Sequence, residues 1–214
     1  MTSLSPQLLA GLALFAFVSS ITPGPNNMML MASGANFGFR ATWWHMAGVS
    51  LGFGLMVLVL GFGLGQVFLA LPWLHGVLAV VGGAYMVWLT WKIATSDGIG
   101  GGPVTATPQT FLQAAGFQWV NPKAWAMGLG AVTTYAPAQN YGWNVVLVSL
   151  VFIAINVPCI MVWTGFGVGL RRILDRRAML RGFNLLMAAL LLASLVPMLG
   201  ELRSAALGVR HLSP

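Results

Sequence analysis

Two apolar stretches of this 214-residue chain, each long enough to cross a membrane, are interrupted by proline at places that answer each other. The first interruption is Thr22-Pro23-Gly24-Pro25-Asn26-Asn27, and the second is Asn121-Pro122-Lys123. Lipid cannot hydrogen-bond the backbone groups that proline leaves free. A break at membrane depth is therefore tolerated only where protein or a watery cavity surrounds it. Paired breaks in the two halves of a chain point to a transporter's substrate site.

Composition agrees with a membrane setting. The chain is 58% hydrophobic and only 6% charged, against about 25% charged in soluble domains. Its net charge of +7 has no hydrophilic domain to carry it, so it reads as a positive-inside bias rather than a nucleic-acid footprint. Apolar segments of membrane-crossing length fall at about residues 8–35, 43–71, 74–93, 111–135, 141–170 and 183–199. A Gly- and Pro-rich loop, residues 96–109, joins pseudo-repeats 1–95 and 110–205 within one transporter domain, residues 1–214.

The expected fold is all-α and polytopic, with six transmembrane helices. Three crossings per half make the halves two inverted three-helix repeats, with a break in the first helix of each. Arg171, Arg172, Arg176, Arg177 and Arg181 place the loop before segment six in the cytoplasm. Alternation then puts Arg40 and Lys92 on the same side and both termini outside; Arg203 and Arg210 are the exceptions. Met1 to Pro6 carries no Lys or Arg, which favours a retained first helix over a cleaved signal peptide. Cys159 is the single cysteine and has no intramolecular partner.

The breaks carry the candidate chemistry. Pro23 and Pro25 lack an N–H and Gly24 lacks a Cβ, so no continuous helix runs through them. Asn26 or Asn27 is expected to cap the helix that resumes, whose N-terminus suits a substrate carboxylate. Asn121 is a good cap with Pro122 at the first helical position. Lys123 has about ten residues of span on either side, and burying it there costs about 3 kcal/mol. A cavity-facing role follows, either holding a carboxylate or changing protonation; snorkelling along a tilted helix is the alternative. Gln118 is a candidate for the same cavity. His45, near the cytoplasmic end of segment two, is a second proton-coupling candidate or an ordinary interfacial residue. Asn156 and Pro158 could open segment five or merely kink it. Glycines at four-residue steps (Gly34/Gly38, Gly48/Gly52, Gly61/Gly65, Gly165/Gly169) permit close helix packing.

Other chemistries lack their residues. The acids Asp97, Asp175 and Glu201 lie in loops or at a segment end, which disfavours a buried-carboxylate proton pump and a Mg²⁺ or Ca²⁺ site. His45, His75 and His211 with one Cys form no zinc spacing. Ser19 and Ser20 have no base beside them for nucleophilic catalysis. No cofactor, metal or nucleic-acid partner is expected. A membrane-embedded enzyme and a non-transporting membrane subunit are the rival classes.

The run Thr22 to Asn27, followed by Gly38-Phe39-Arg40 and by Asn121-Pro122-Lys123, resembles the lysine/homoserine exporter superfamily of bacterial amino-acid exporters over essentially the whole chain. Residues 47–53 and 83–96 look most like its cysteine/O-acetylserine branch. The resemblance implies six helices in the bacterial inner membrane, export of a small amino acid or derivative, and protons as coupling ion; a homo-oligomer is compatible with it. One departure stands out. Where many threonine/homoserine-type members carry an acidic residue after the glycines of segment two, this chain has Phe53, which shifts any coupling role to Lys123 or His45, or points to facilitated flow without tight coupling.

Overall fold

A computed structural model of the chain describes residues 4–64, 67, 70–71, 73–95, 107–171 and 177–193. Eight α-helices and no strand occur among them. They are α1 (Pro6–Ile21), α2 (Pro25–Phe37), α3 (Trp43–Val59), α4 (Trp73–Ala94), α5 (Phe111–Phe117), α6 (Pro122–Tyr135), α7 (Tyr141–Arg171) and α8 (Arg177–Ala193). A π-helical turn, Leu60–Leu64, extends α3, and a 3-10 turn, Gln118–Val120, follows α5. The loop at 96–106, Pro72, the tail from 194, the acids and the arginines at 172 and 176 lie outside the described residues.

Each predicted break separates two helices. α1 and α2 meet at a bend of 54°. Ser5 caps α1 by accepting from the Leu8 amide at 3.2 Å, and proline opens α1, α2 and α6 at the position where its missing N–H costs nothing. Thr110 and Gln113 form a reciprocal capping box that starts α5. Pro158 does not open segment five, because α7 runs continuously through it. One proline removes one backbone hydrogen bond, whereas Pro-Gly-Pro removes two donors and a side chain. α8 begins at Arg177, so the sixth segment starts earlier than the apolar run beginning at Phe183.

Two helices are long and apolar enough to cross a membrane among the described residues, Trp43–Leu64 and Tyr141–Leu170, or three if the bent α1–α2 pair is one span. The distribution of side chains is inside-out. Asn27, Asn36, Gln118, Asn121, Asn144, Asn156 and Asn184 are buried, while Leu14, Phe17, Val80, Leu112 and Phe166 face outward. With 31 residues, α7 is about 46 Å long at 1.5 Å per residue. It packs on α1, α2 and α3, while α4 and α8 pair beside them.

Glycine sets the closest approach. A Cβ on Gly34 would collide with the Thr164 carbonyl, and one on Gly167 with the Met31 carbonyl, so α2 and α7 touch backbone to backbone. Gly48 and Gly52 make the same kind of seam against Phe111, Ala114 and Ala115 of α5. Gly165 and Gly169 have nothing within 4 Å; the tight glycine of that helix is the intervening Gly167. Gly167→Val should therefore sharply lower the yield and melting temperature of detergent-purified protein, and Gly165→Ala should leave both unchanged. Equal yields and melting curves would contradict the seam.

Candidate functional site

Ending α1 at Ile21 leaves a set of carbonyls without intrahelical partners. The chain supplies one for each. Asn27 Nδ2 donates to Ser20 O and to Thr22 O, both at 2.8 Å. Trp163 Nε1 of α7 donates to Ile21 O at 3.0 Å. Lys123 Nζ donates to Thr22 O at 2.8 Å, Thr22 Oγ1 at 2.9 Å and Pro23 O at 3.3 Å. An ammonium group has three donors, so all three are used, and the lysine of the second break is seated on the oxygens of the first.

The second break is built the same way. Asn121 Oδ1 accepts from the Lys123 amide at 3.1 Å and caps α6, as its sequence position predicts. Trp125 Nε1 donates to Trp119 O at 2.9 Å. Gln118 is fully buried and pairs with Asn26 through both amide groups, at 2.8 and 3.2 Å, while donating to Ala114 O at 2.9 Å. The two breaks are thus joined by an ammonium cage and an amide pair.

Asn26 and Asn27 do not cap α2. Gly24 occupies the cap position without a side-chain bond, and Pro25 opens the helix, so the asparagines lie two and three positions past the cap. Their amides turn back to α1 and across to Gln118 instead. Gly24 is needed for room: a Cβ there would come within 2.8 Å of Lys123 Cδ and 3.1 Å of Nζ.

A polar chamber of about 30 Å³ sits at this junction, lined by Ser19, Ser20, Gly24, Asn26, Asn27, Phe53, Gln118, Asn121, Lys123 and Asn156, among others. The sequence did not single out Phe53 and Asn156 as wall residues. Asn156, in mid-α7, was the readable signal, being an amide in an apolar run. Phe53 stacks edge-on to Phe152 at 5.2 Å and brings an aromatic ring into the chamber wall. Ser20 Oγ is buried without a partner. Thr22 reaches the junction through its backbone oxygen and its hydroxyl, and Pro23 through its backbone oxygen. His45 is elsewhere. It is buried under α2 in a separate cavity and does not meet Lys123.

Among the described residues no three His, Cys, Asp or Glu come together as a metal site. The architecture is that of a membrane protein with a polar chamber between two broken helices. The chain belongs to the LysE type translocator family, whose pattern matches residues 17–195; it is a transporter, not an enzyme. It is 33% identical to a cysteine/O-acetylserine efflux protein of Escherichia coli O139:H28 (strain E24377A / ETEC) over 195 residues, 88% of this chain and 96% of that one. It is 35% identical to the protein of the same name in Escherichia coli (strain K12) over 142 residues, 64% of this chain and 70% of that one. With the corresponding protein of Salmonella paratyphi A (strain ATCC 9150 / SARB42) it shares 34% over 145 residues, 67% and 73% of the two chains. The cysteine/O-acetylserine branch read from the motifs is the branch these relatives carry. No solved structure matches the chain.

Two substitutions separate support from function. Asn27→Leu strands the buried Ser20 carbonyl, at about 1–3 kcal/mol, and takes one of two donors from Thr22 O, which keeps Lys123; it should lower the melting temperature clearly. Gly24→Ala presses only on the flexible end of Lys123 and should leave melting unchanged while impairing transport. Equal melting temperatures for Asn27→Leu and wild type would refute the role given to Asn27.

Proposed function

We propose that the chain is a bacterial inner-membrane exporter of a small neutral amino acid or derivative, of the cysteine and O-acetylserine kind, and that the substrate binds between the two breaks. The observation that carries the reading is the Lys123 ammonium held by Thr22 O, Thr22 Oγ1 and Pro23 O. A substrate's α-ammonium carries the same charge and the same three donors. It can replace the lysine on those oxygens. The freed Lys123 then turns to the substrate carboxylate, a charge-assisted contact stronger than a neutral one.

Charge accounting supports a neutral side chain. Among the described residues Lys123 is the only charged one in the chamber wall, and Phe53 adds an apolar ring to it, with no acid to hold a second cation. A lysine-like substrate would leave its side-chain charge without a partner, which is costly in a desolvated site. A thiol or an acetyl ester fits against Phe53 and Met127 instead.

The six-span reading groups the helices as α1 with α2, α3 with its π turn, α4, α5 with α6, α7 and α8, three spans per half and inverted. Both termini lie outside under the positive-inside assignment. A chamber of about 30 Å³ has room for about two waters, too little for an amino acid. Loading therefore requires the halves to part at the breaks, and alternating access is that parting made first on one side and then on the other.

The test is efflux from proteoliposomes loaded with radiolabelled cysteine, O-acetylserine, threonine, homoserine, leucine or lysine, with and without a pH gradient. Wild type should release the small neutral substrates and not lysine. Lys123→Met and Pro25→Leu should abolish release while the protein remains folded in the membrane; losing charge-assisted bonds worth about 1.5–3 kcal/mol each predicts at least about a tenfold loss. Acceleration by the gradient would make protons the coupling ion. Normal release by both variants would remove the site assignment.

A further inference from the structure

The break chamber leaves one group of buried polar atoms unexplained. His45 is 2% exposed, and neither ring nitrogen has a hydrogen-bond partner. Gln109 Oε1 is buried and unpartnered as well. Buried polar groups in native structures are nearly always bonded, so three orphans facing one space call for a cause. The space is a cavity of about 80 Å³, lined by His45, Ser33, Asn36, Gln109, Met29 and Leu89, among others.

We propose that this cavity is a second substrate station, on the cytoplasmic side of the break site, and that it takes a small amino acid with no net charge. The inference rests on reading the chain as an amino-acid exporter. Three features support it. By volume it holds about five or more waters, close to the size of a small amino acid, whereas the break chamber holds about two. A neutral imidazole offers one donor and one acceptor, and Gln109 Oε1 adds a second acceptor. Two acceptors and a donor complement an ammonium beside a carboxylate. Among the described residues no charged side chain lines the cavity, so a ligand whose charges cancel within itself suits this wall better than a net cation or anion.

Two other polar groups of the wall, Ser33 and Asn36, are already engaged. Ser33 shares a hydrogen bond with Thr42 at 2.9 Å, and Asn36 and Asn184 form an amide pair at 2.9 and 3.2 Å. They shape the cavity without competing for the ligand. Its position fits a transit route. α2 carries Asn26 and Asn27 in the break chamber and Met29, Ser33 and Asn36 in the second cavity. Asn27 and Asn36 lie about 14 Å apart along the helix at 1.5 Å per residue. His45 follows Arg40, which the positive-inside assignment puts at the cytoplasmic face. For an exporter that is the side from which substrate comes.

The experiment uses full-length protein in nanodiscs with ¹⁵N-labelled histidine rings, titrated with O-acetylserine and, under reductant, cysteine. His45→Gln identifies the His45 signals among the three histidines. The titration is run in wild type and in Lys123→Met, which lacks the break site. The expected result is a saturable shift of the His45 ring signals in both. Gln109→Leu should also raise the half-saturating substrate concentration for efflux from the His45 side about fivefold to tenfold, the size of one or two neutral hydrogen bonds. Counterflow loaded from the opposite side should stay near the wild-type concentration dependence. Unmoved ring signals in a preparation that exports substrate would overturn the station and leave only water in the cavity. Absence of export by wild type would instead remove the exporter reading, and the station with it.

Discussion

A carbonyl that loses its helix inside a membrane must find another donor, and the whole centre of this protein is organised around meeting that demand. Proline and glycine at residues 23–25 release the oxygens that end α1. The donors come from three places: Asn27 on the helix just beyond the break, Trp163 on α7, and Lys123 on the second break. None of these would have reason to converge if the helix were whole. The break therefore does more than bend a span, since it fixes where α7 and α6 must sit.

The same demand explains why a lysine is stable at this junction. Its ammonium has three oxygens at 2.8, 2.9 and 3.3 Å, and those oxygens need a donor as much as the charge needs acceptors. Each half of the exchange offsets the other's desolvation. Gly24 completes the fit by leaving the lysine stem a path over the backbone. The oxygens of the first break are thus filled by the cation of the second.

Much of this was readable from residue types. Proline pairs and a lysine in an apolar run are local signals, and both breaks and the Asn121 cap fall where the sequence put them. What was not readable depends on rotation about helix axes. The turning back of Asn26 and Asn27 follows from Pro25 taking the first helical position. The tight glycine at 167 rather than 165 or 169 follows from which face of α7 meets α2. Asn36, Asn184 and Trp163 are visible as polar or amphipathic residues in apolar segments, but their partners lie 142 to 148 positions away in the chain. His45 was legible as a titratable residue near a helix end; its isolation from Lys123 was not.

α2 is fastened to the second half of the chain near both ends by the same device, a pair of primary amides: Asn26 with Gln118 and Asn36 with Asn184. An ion pair in these positions would resist separation, because each charge would be stranded as the partners parted. Neutral amide bonds contribute about 1 kcal/mol each, and an amide that has let go of its partner can turn to water or to a substrate. Such fasteners hold a helix in register yet release it for an energy comparable to a few thermal quanta. Both clasps lie on one helix, Asn26 near its start and Asn36 near its end, so a displacement of α2 loads the two together.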